Sequence, residues 1–187
     1  ALYRAGDEPN GVFGLVAGGV EIAIPGMDGS ECLLHRAEPG FWVGDLALFA
    51  GQRRLVTVRA ASRCDVVHLP QGALNACIRR HPELIRDFYE LSHENMHTVL
   101  QLLGNLSVKS AEIRIALRLL MHARSLEKQE DWIQISHDDL AQLVAVSPKT
   151  VRRTLSQLQE LGLVETAYAR VRVVDYDALA KRCGHIL

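Results

Sequence analysis

The stretch ISHDDLAQLVAVSPKTVRRTLSQLQELGLV, residues 135–164, decides the reading of this chain. It parses as two short helices joined by a tight turn. Ser136 stands where an N-cap belongs, with Asp139 three residues on. Short oxygen acceptors there satisfy the free N–H groups of a first helical turn. Leu140, Ala141 and Val144 form the inner face of the first helix, and Ala145-Val146 turns the chain. Ser147 caps again, and Pro148 takes the first helical position, where its missing N–H is no loss. Val151, Leu155 and Leu158 recur at i, i+4, i+7 and point to a core. Lys149, Arg152 and Arg153 share another face at i, i+3, i+4. No acid lies between Asp139 and Glu160, and Gly162 is placed to end the helix as its C′ residue.

An ordinary amphipathic helix pair with a solvated charged face is the competing reading. The double cap, the short turn and the acid-free basic face together favour a helix held in the major groove of double-stranded DNA. The residues predicted to contact DNA are Ser136, Ser147, Lys149, Thr150, Arg152, Arg153, Gln157 and Arg170.

With 187 residues the chain has room for one or two domains with real cores. Its net charge of −1 is unevenly spread. Residues 1–108 hold 9 Lys/Arg against 12 Asp/Glu, a balance of −3, and residues 109–187 hold 12 against 10, a balance of +2. The basic tilt falls in the half with the helix pair but is mild, so affinity for DNA must come from placed cations and from a dimer. Cys32, Cys64, Cys77 and Cys183 are scattered without C-x-x-C or metal-ligand spacing. They read as free, mostly buried thiols in a reducing cytoplasm. No apolar run reaches membrane-spanning length, so no membrane partner is expected, and no secretory signal is present. The chain begins at Ala1 inside a strand-forming region, which points to a segment upstream.

Residues 1–69 alternate short β-like runs (VFGLV, GVEIAI, ECLLHRA, LVTVRA, CDVVHL) with glycine-rich turns, and PGMDGS (25–30) is a hairpin loop. That pattern predicts a jelly roll, sandwich or small barrel. A short helix follows from Pro70 to Arg80. A long one opens at Pro82 and runs to about Leu106, with Ile85, Tyr89, Ser92, Met96, Val99, Leu103 and Leu106 at heptad-like spacing. Leu84, Phe88, Leu91 and Leu102 form a second apolar stripe. A helix apolar on two stripes needs two partners, here the β domain and a second copy of the chain. Ile85, Tyr89, Met96, Val99, Leu103 and Leu106 are the predicted homodimer interface; one broad core face within a monomer is the alternative.

Ala111 to Leu126 is a further amphipathic helix, EKQED (127–131) a charged loop, and WIQI (132–135) a short strand. LVETA and RVRVVD fit the wing of a winged helix, with Tyr168, Arg170 and Arg172 near the DNA backbone, and DYDALAKRC closes as a small helix. The fold class is thus α+β in three parts: a β-roll sensor over 1–80, a dimerisation helix over 81–107, and a winged helix-turn-helix over 108–187.

In this order of parts the chain resembles the Crp/Fnr family of transcription regulators. Two motifs carry the resemblance. One is the 135–164 segment; the other is PGFWVGDLALFAGQRRLVTVRA (39–60), similar to the family's phosphate-binding cassette. The resemblance implies an effector site at Gly44, Asp45, Leu46, Arg54 and Leu55, closed by Val99 and Leu100 of the long helix. In cyclic-nucleotide-binding members the acid takes a ribose hydroxyl and the arginine the cyclic phosphate. Here Asp45 replaces the usual glutamate, Leu55 stands where a serine hydroxyl is expected, and Val99 and Leu100 stand where hydroxyl residues face the base. Buried purine nitrogens left unpaired cost about 1–3 kcal/mol each, so weak or absent cyclic-AMP binding is expected. The alternative for Gly44, Asp45 and Arg54 is that they keep the roll's shape, with Asp45 and Arg54 as an internal ion pair. The cofactor is left open among a cyclic nucleotide, a haem-like or apolar effector, and none; the absence of clustered cysteines argues against an iron–sulfur cluster. In the recognition helix Lys149 replaces the family's common acid and cannot accept from cytosine N4, so the preferred DNA sequence should differ from the usual family site.

The resemblance further implies RNA polymerase as a partner and a non-enzymatic role. Two other functions compete. A ligand-binding β-roll whose winged helix serves protein contacts is disfavoured by the basic helix face. A cupin-like metal enzyme is disfavoured because His35, His68 and His81 lack close His-x-His spacing.

Overall fold

The alternating runs of the first 70 residues become six strands in the computed structural model, which describes residues 1–126 and 131–184. They are β1 (Gly11–Ala17), β2 (Val20–Pro25), β3 (Glu31–Ala37), β4 (Trp42–Val43), β5 (Thr57–Ala60) and β6 (Asp65–Pro70). All pair antiparallel, in two three-stranded sheets of order β4-β1-β6 and β3-β2-β5. Successive side chains on a strand point to opposite faces. Tyr3, Phe13, Leu15, Val20, Ile22, Ala37 and Val58 are the buried set of the roll.

Glu21, next to Ile22, faces the other way. Its register partners are Arg36 on β3 and Arg59 on β5. Both donate to it, at 2.6 Å from Arg36 Nη2 and 2.7 Å from Arg59 Nε. This is cross-strand pairing of opposite charges on the outside of a sheet.

Three helices accompany the roll: α1 (Asp45–Ala50), α2 (Gln71–Arg80) and α3 (Leu84–Ser107). Val12, Leu48, Leu74 and Phe88 form a second buried cluster, joined by Trp42, Leu69, Ile78 and Leu91. It fixes α1, α2 and the first turns of α3 to the roll. Of the stripe predicted from Leu84, Phe88, Leu91 and Leu102, this cluster takes up Phe88 and Leu91; Leu84 is half-buried, and Leu102 is buried in the second of the chain's two units. β4 and α1 were not separable from sequence, because a two-residue strand and a six-residue helix are too short for periodicity to register.

The chain divides into two units, Ala1–Leu100 and Gln101–Leu187. The second contains α4 (Ala111–Ser125), α5 (His137–Leu143), α6 (Pro148–Glu160), β7 (Val164–Ala167), β8 (Arg170–Val173) and α7 (Tyr176–Arg182). Ile115, Leu119 and Leu120 of α4 are fully buried, as are Leu140, Val151, Leu155 and Leu158 of the helix pair and Leu179 of α7. WIQI does not form a strand. Ile133 makes one isolated bridge to Val171, with two hydrogen bonds of 2.8 and 3.0 Å, and the chain enters the cap of α5 too soon to extend it. Residues 127–130 of the expected charged loop lie outside the described residues.

The cysteines are unpaired as expected but not mostly buried. Cys32 and Cys77 are exposed, Cys64 is half-buried and Cys183 is buried. Cys32 lies on edge strand β3 beside the hairpin, and Cys77 on the outer side of α2. Among the described residues no helix is long and apolar enough to cross a membrane, and no group of three or more His, Cys, Asp or Glu side chains could hold a metal ion.

Burial alone would raise the Glu21 carboxyl, and hydrogen bonds from Arg59 and Arg36 more than offset it, holding its pKa below the usual glutamate range. A carboxyl lowered in the folded state stabilises above its ordinary pKa, and that contribution is lost as pH falls through the lowered value. Thermal melts should therefore place wild type above Glu21→Gln at neutral pH, with the gap closing on acidification. A gap that does not change with pH would refute this.

Candidate nucleic-acid interface and sensor cassette

The helix pair is built by local hydrogen bonding that the sequence encodes. Ser136 and Asp139 form a complete capping box at α5: Ser136 Oγ accepts from the Asp139 amide at 3.1 Å, and the Ser136 amide donates to Asp139 Oδ2 at 3.3 Å. α5 ends in a Schellman arrangement, with the Val146 amide on the Ala141 carbonyl at 3.0 Å and the Ala145 amide on Gln142 at 3.2 Å. Ala145 sits in the left-handed region at φ 52°, a strained position for a residue with a Cβ. Ser147 Oγ accepts from the Thr150 amide at 3.2 Å and lies 2.9 Å from the Thr150 hydroxyl. α6 ends in a second Schellman arrangement with Gly162 at φ 70°.

A longer-range contact sets the angle of this turn. The Arg114 guanidinium on α4 donates to the carbonyls of Val144 at 3.0 Å and Val108 at 2.7 Å, with Lys109 at 3.2 Å and Ala145 at 3.5 Å. One cation thus satisfies the free carbonyls left at the end of α5 and ties the turn to α4. No local pattern pointed to Arg114, because its acceptor on α5 is a backbone atom 30 residues away.

Lys149, Arg152 and Arg153 are exposed on α6, while Val151, Thr154, Leu155 and Leu158 are buried. The three cations make no hydrogen bond or ion pair among the described residues, so their donors are free. Ser156 shares their face at i+4 from Arg152 and is exposed; helical spacing would have found it. Gln157 is also exposed. The hydroxyls of Ser136, Ser147 and Thr150 are by contrast engaged in the caps.

The wing cations are committed within the unit. Arg170 lies over the Trp132 ring at 4.5 Å and Arg172 at 5.1 Å, and Arg172 Nη2 meets Glu165 Oε2 at 2.5 Å. Tyr168 at the wing tip is fully exposed. Thr166 Oγ1 donates to Gln159 Oε1 at 2.6 Å, joining wing to α6.

In the first unit the cassette residues come together, but not as an ion pair. Asp45 is buried and accepts from the Ser92 hydroxyl of α3. Arg54, 3 % exposed, donates from Nη1 to the Gly44 carbonyl at 2.8 Å and from Nη2 to the Gly11 carbonyl at 2.7 Å and Asn10 Oδ1 at 3.1 Å. Its guanidinium stacks on Tyr3 at 4.2 Å, whose hydroxyl is pushed upward in pKa by burial, partly opposed by Arg54. Leu46 and Leu55 point to solvent. On α3, Ile85, Tyr89, Met96, Leu100, Leu103 and Leu106 are exposed and Val99 is half-buried.

Comparison with known proteins matches both regions. The family model for the cyclic nucleotide-binding domain matches residues 1–81, and that for the Crp-like helix-turn-helix domain matches residues 113–182. The cAMP-activated global transcriptional regulator CRP of Salmonella typhimurium is 28% identical over 182 residues, covering 92% of this chain and 84% of that protein. A CRP-like cAMP-activated global transcriptional regulator of Mycobacterium tuberculosis is 24% identical, covering 97% and 83%. Among solved structures, a CRP-family transcriptional regulator of Thermus thermophilus superposes with a TM-score of 0.76 at 27% identity, covering 98% of this chain and 92% of that one.

Losing the N-cap of α6 should loosen the helix pair without touching its cations. Ser147→Ala is expected to destabilise the second unit by about 1 kcal/mol. Denaturation followed by Trp132 fluorescence in a Trp42→Phe background reads that unit, and an unshifted midpoint would show that the cap is dispensable.

Proposed function

This chain belongs to the Crp/Fnr family of transcription regulators, and we propose that it reads its operator as a homodimer through Lys149, Arg152 and Arg153. The observation that carries this is the pairing of a rigidly capped α6 with three exposed cations that have no partner among the described residues. Arginine and lysine donate to guanine O6 and N7 or to phosphate, and no acid on the exposed face before Glu160 opposes the DNA charge. A half-site with guanine opposite Arg153 or Lys149 follows. Ser136, Ser147 and Thr150 act mainly by fixing the helix, with Gln157 and Ser156 at the edge of the contact. Arg170 serves the DNA backbone from the wing while held on Trp132.

The dimer forms along α3. An aqueous monomer that leaves Ile85, Tyr89, Met96, Leu103 and Leu106 exposed on one 24-residue helix carries an apolar stripe of the kind that marks an interface. A second copy pairing along the same stripe supplies a second α6, as two half-sites of an operator require. Residues 1–80 serve as sensor, 81–107 as dimer helix and 108–187 as DNA-binding part, with RNA polymerase as the partner at the promoter. An effector bound to the sensor changes DNA affinity only by binding the two arrangements of the dimer unequally.

Single replacement of Lys149, Arg152 or Arg153 by alanine should weaken binding to a DNA fragment selected by the protein from a random pool. A base-reading contact is worth about 1–3 kcal/mol, and a phosphate contact shows instead as a shallower salt dependence. Unchanged affinity and salt slope in all three variants would rule out this face.

Met96→Glu places a charge on the stripe, and sedimentation should then show monomers where wild type gives dimers. A wild type that stays monomeric at micromolar concentration would exclude the α3 interface.

A further inference from the structure

A cyclic nucleotide carries an anionic phosphodiester, a sugar hydroxyl and a flat base. To bury the phosphate, a protein needs a cation with N–H groups to spare; to bury the hydroxyl, it needs a free acceptor. Within Ala1–Leu100 the buried charged side chains are Glu21, Asp45 and Arg54. Glu21 lies on the outside of its sheet between Arg36 and Arg59. That leaves Arg54 and Asp45, the two residues the family resemblance puts at the ligand.

Both are buried, Arg54 at 3 % and Asp45 at 4 % exposure, and both are bonded within the fold. Both Nη atoms of Arg54 are bonded within the fold, to the carbonyls of Gly44 and Gly11 and to Asn10, and one face of the guanidinium is covered by Tyr3. Its Nε lacks a partner among the described residues, and it is sealed from the surface. The Nε–H and the second Nη1–H, which these bonds do not use, belong to a side chain only 3 % exposed, so a phosphate could reach them only if the groups packed around Arg54 moved aside.

A Cβ built on Gly44, whose φ is 101°, would come 2.4 Å from Arg54 Nη1, so the guanidinium packs directly against that glycine. The Asp45 carboxylate accepts from the Ser92 hydroxyl of α3, and Asn95, one turn on, donates to the Trp42 carbonyl at 3.0 Å. The neighbouring side chains that could add donors do not: Leu46 and Leu55 are apolar and turned to solvent.

We infer that this cassette is sealed by the protein's own side chains and does not take a cyclic nucleotide, with Ser92 holding the carboxylate that a sugar hydroxyl would need. Arg54 is then a positioning residue for the Gly11 and Gly44 backbone. The link between roll and α3 is built in through Asp45–Ser92 and Asn95–Trp42 rather than supplied by a ligand, and any effector must be of another chemical class. The inference rests on reading residues 1–80 as the sensor and is independent of the DNA contacts proposed for α6.

Equilibrium dialysis of the full chain against radiolabelled cyclic AMP and cyclic GMP tests it directly. No retention of either is expected up to millimolar ligand, and affinity for the selected DNA fragment should be the same with and without them. Ser92→Ala and Arg54→Lys should each lower the melting temperature of the unliganded protein, because each breaks an internal bond. Micromolar binding of either nucleotide by the unmodified protein would overturn the inference whatever the variants do. So would unchanged melting in both variants. Failure to bind DNA at all would count against the operator reading alone, since dialysis does not depend on it.

Discussion

A guanidinium held against the main chain can donate to several carbonyls at once, and much of this structure is arranged around two arginines that do so. Arg54 is buried in the roll, where it gathers the carbonyls of Gly11, at the start of β1, and Gly44, before α1. Those segments are far apart in sequence, and Gly44 directly follows β4, the ladder partner of β1, so Arg54 ties off the end of that pairing. The planar fork of arginine suits this work, because several N–H groups leave one rigid group in fixed directions. Gly44 has no side chain, which is what lets the fork approach so closely. The same solution recurs in the second unit. Arg114 gathers carbonyls at Val108 and Val144 and so fixes the turn between α5 and α6.

This division of labour separates the cations that hold the fold from those that face outward. Arg54 and Arg114 donate to backbone. Arg36 and Arg59 clasp Glu21, and Arg170 and Arg172 lie against Trp132. Lys149, Arg152 and Arg153 remain with free donors on a helix capped at one end by Ser147 and closed at the other by Gly162. Net charge is a poor guide here: the second half of the chain is only slightly basic, yet three of its cations stand uncommitted on one helix face. In DNA recognition, placed donors specify and diffuse charge only attracts.

The long helix shows how one element serves two needs. Phe88 and Leu91 are packed against the roll, and Ser92 and Asn95 bond to the cassette and to β4. On the adjoining side a row of apolar residues faces water. Both polar bonds fall on residues that a hydrophobic pattern counts as gaps. Ser92 in particular interrupts the heptad-like row, and its hydroxyl is where the cassette meets the helix.

Local chemistry made much of this legible in the sequence. The caps at Ser136 and Ser147, the proline that opens α6, the glycine that follows it and the buried row Val151–Leu155–Leu158 all depend on neighbours within a helical turn or two. Such features are set by the backbone's own unsatisfied groups and by the 3.6-residue period, so a one-dimensional reading finds them. The strands of the roll were legible for the same reason, through alternation. Tertiary structure alone decided which polar groups meet. Asp45 chose Ser92 over Arg54, Arg54 chose carbonyls, Arg114 reached a turn 30 residues away, and Ile133 made one bridge where a strand was expected. In each case the groups that meet are separated in sequence. Only their positions in space, fixed by packing of the apolar core, determined which donor reached which acceptor.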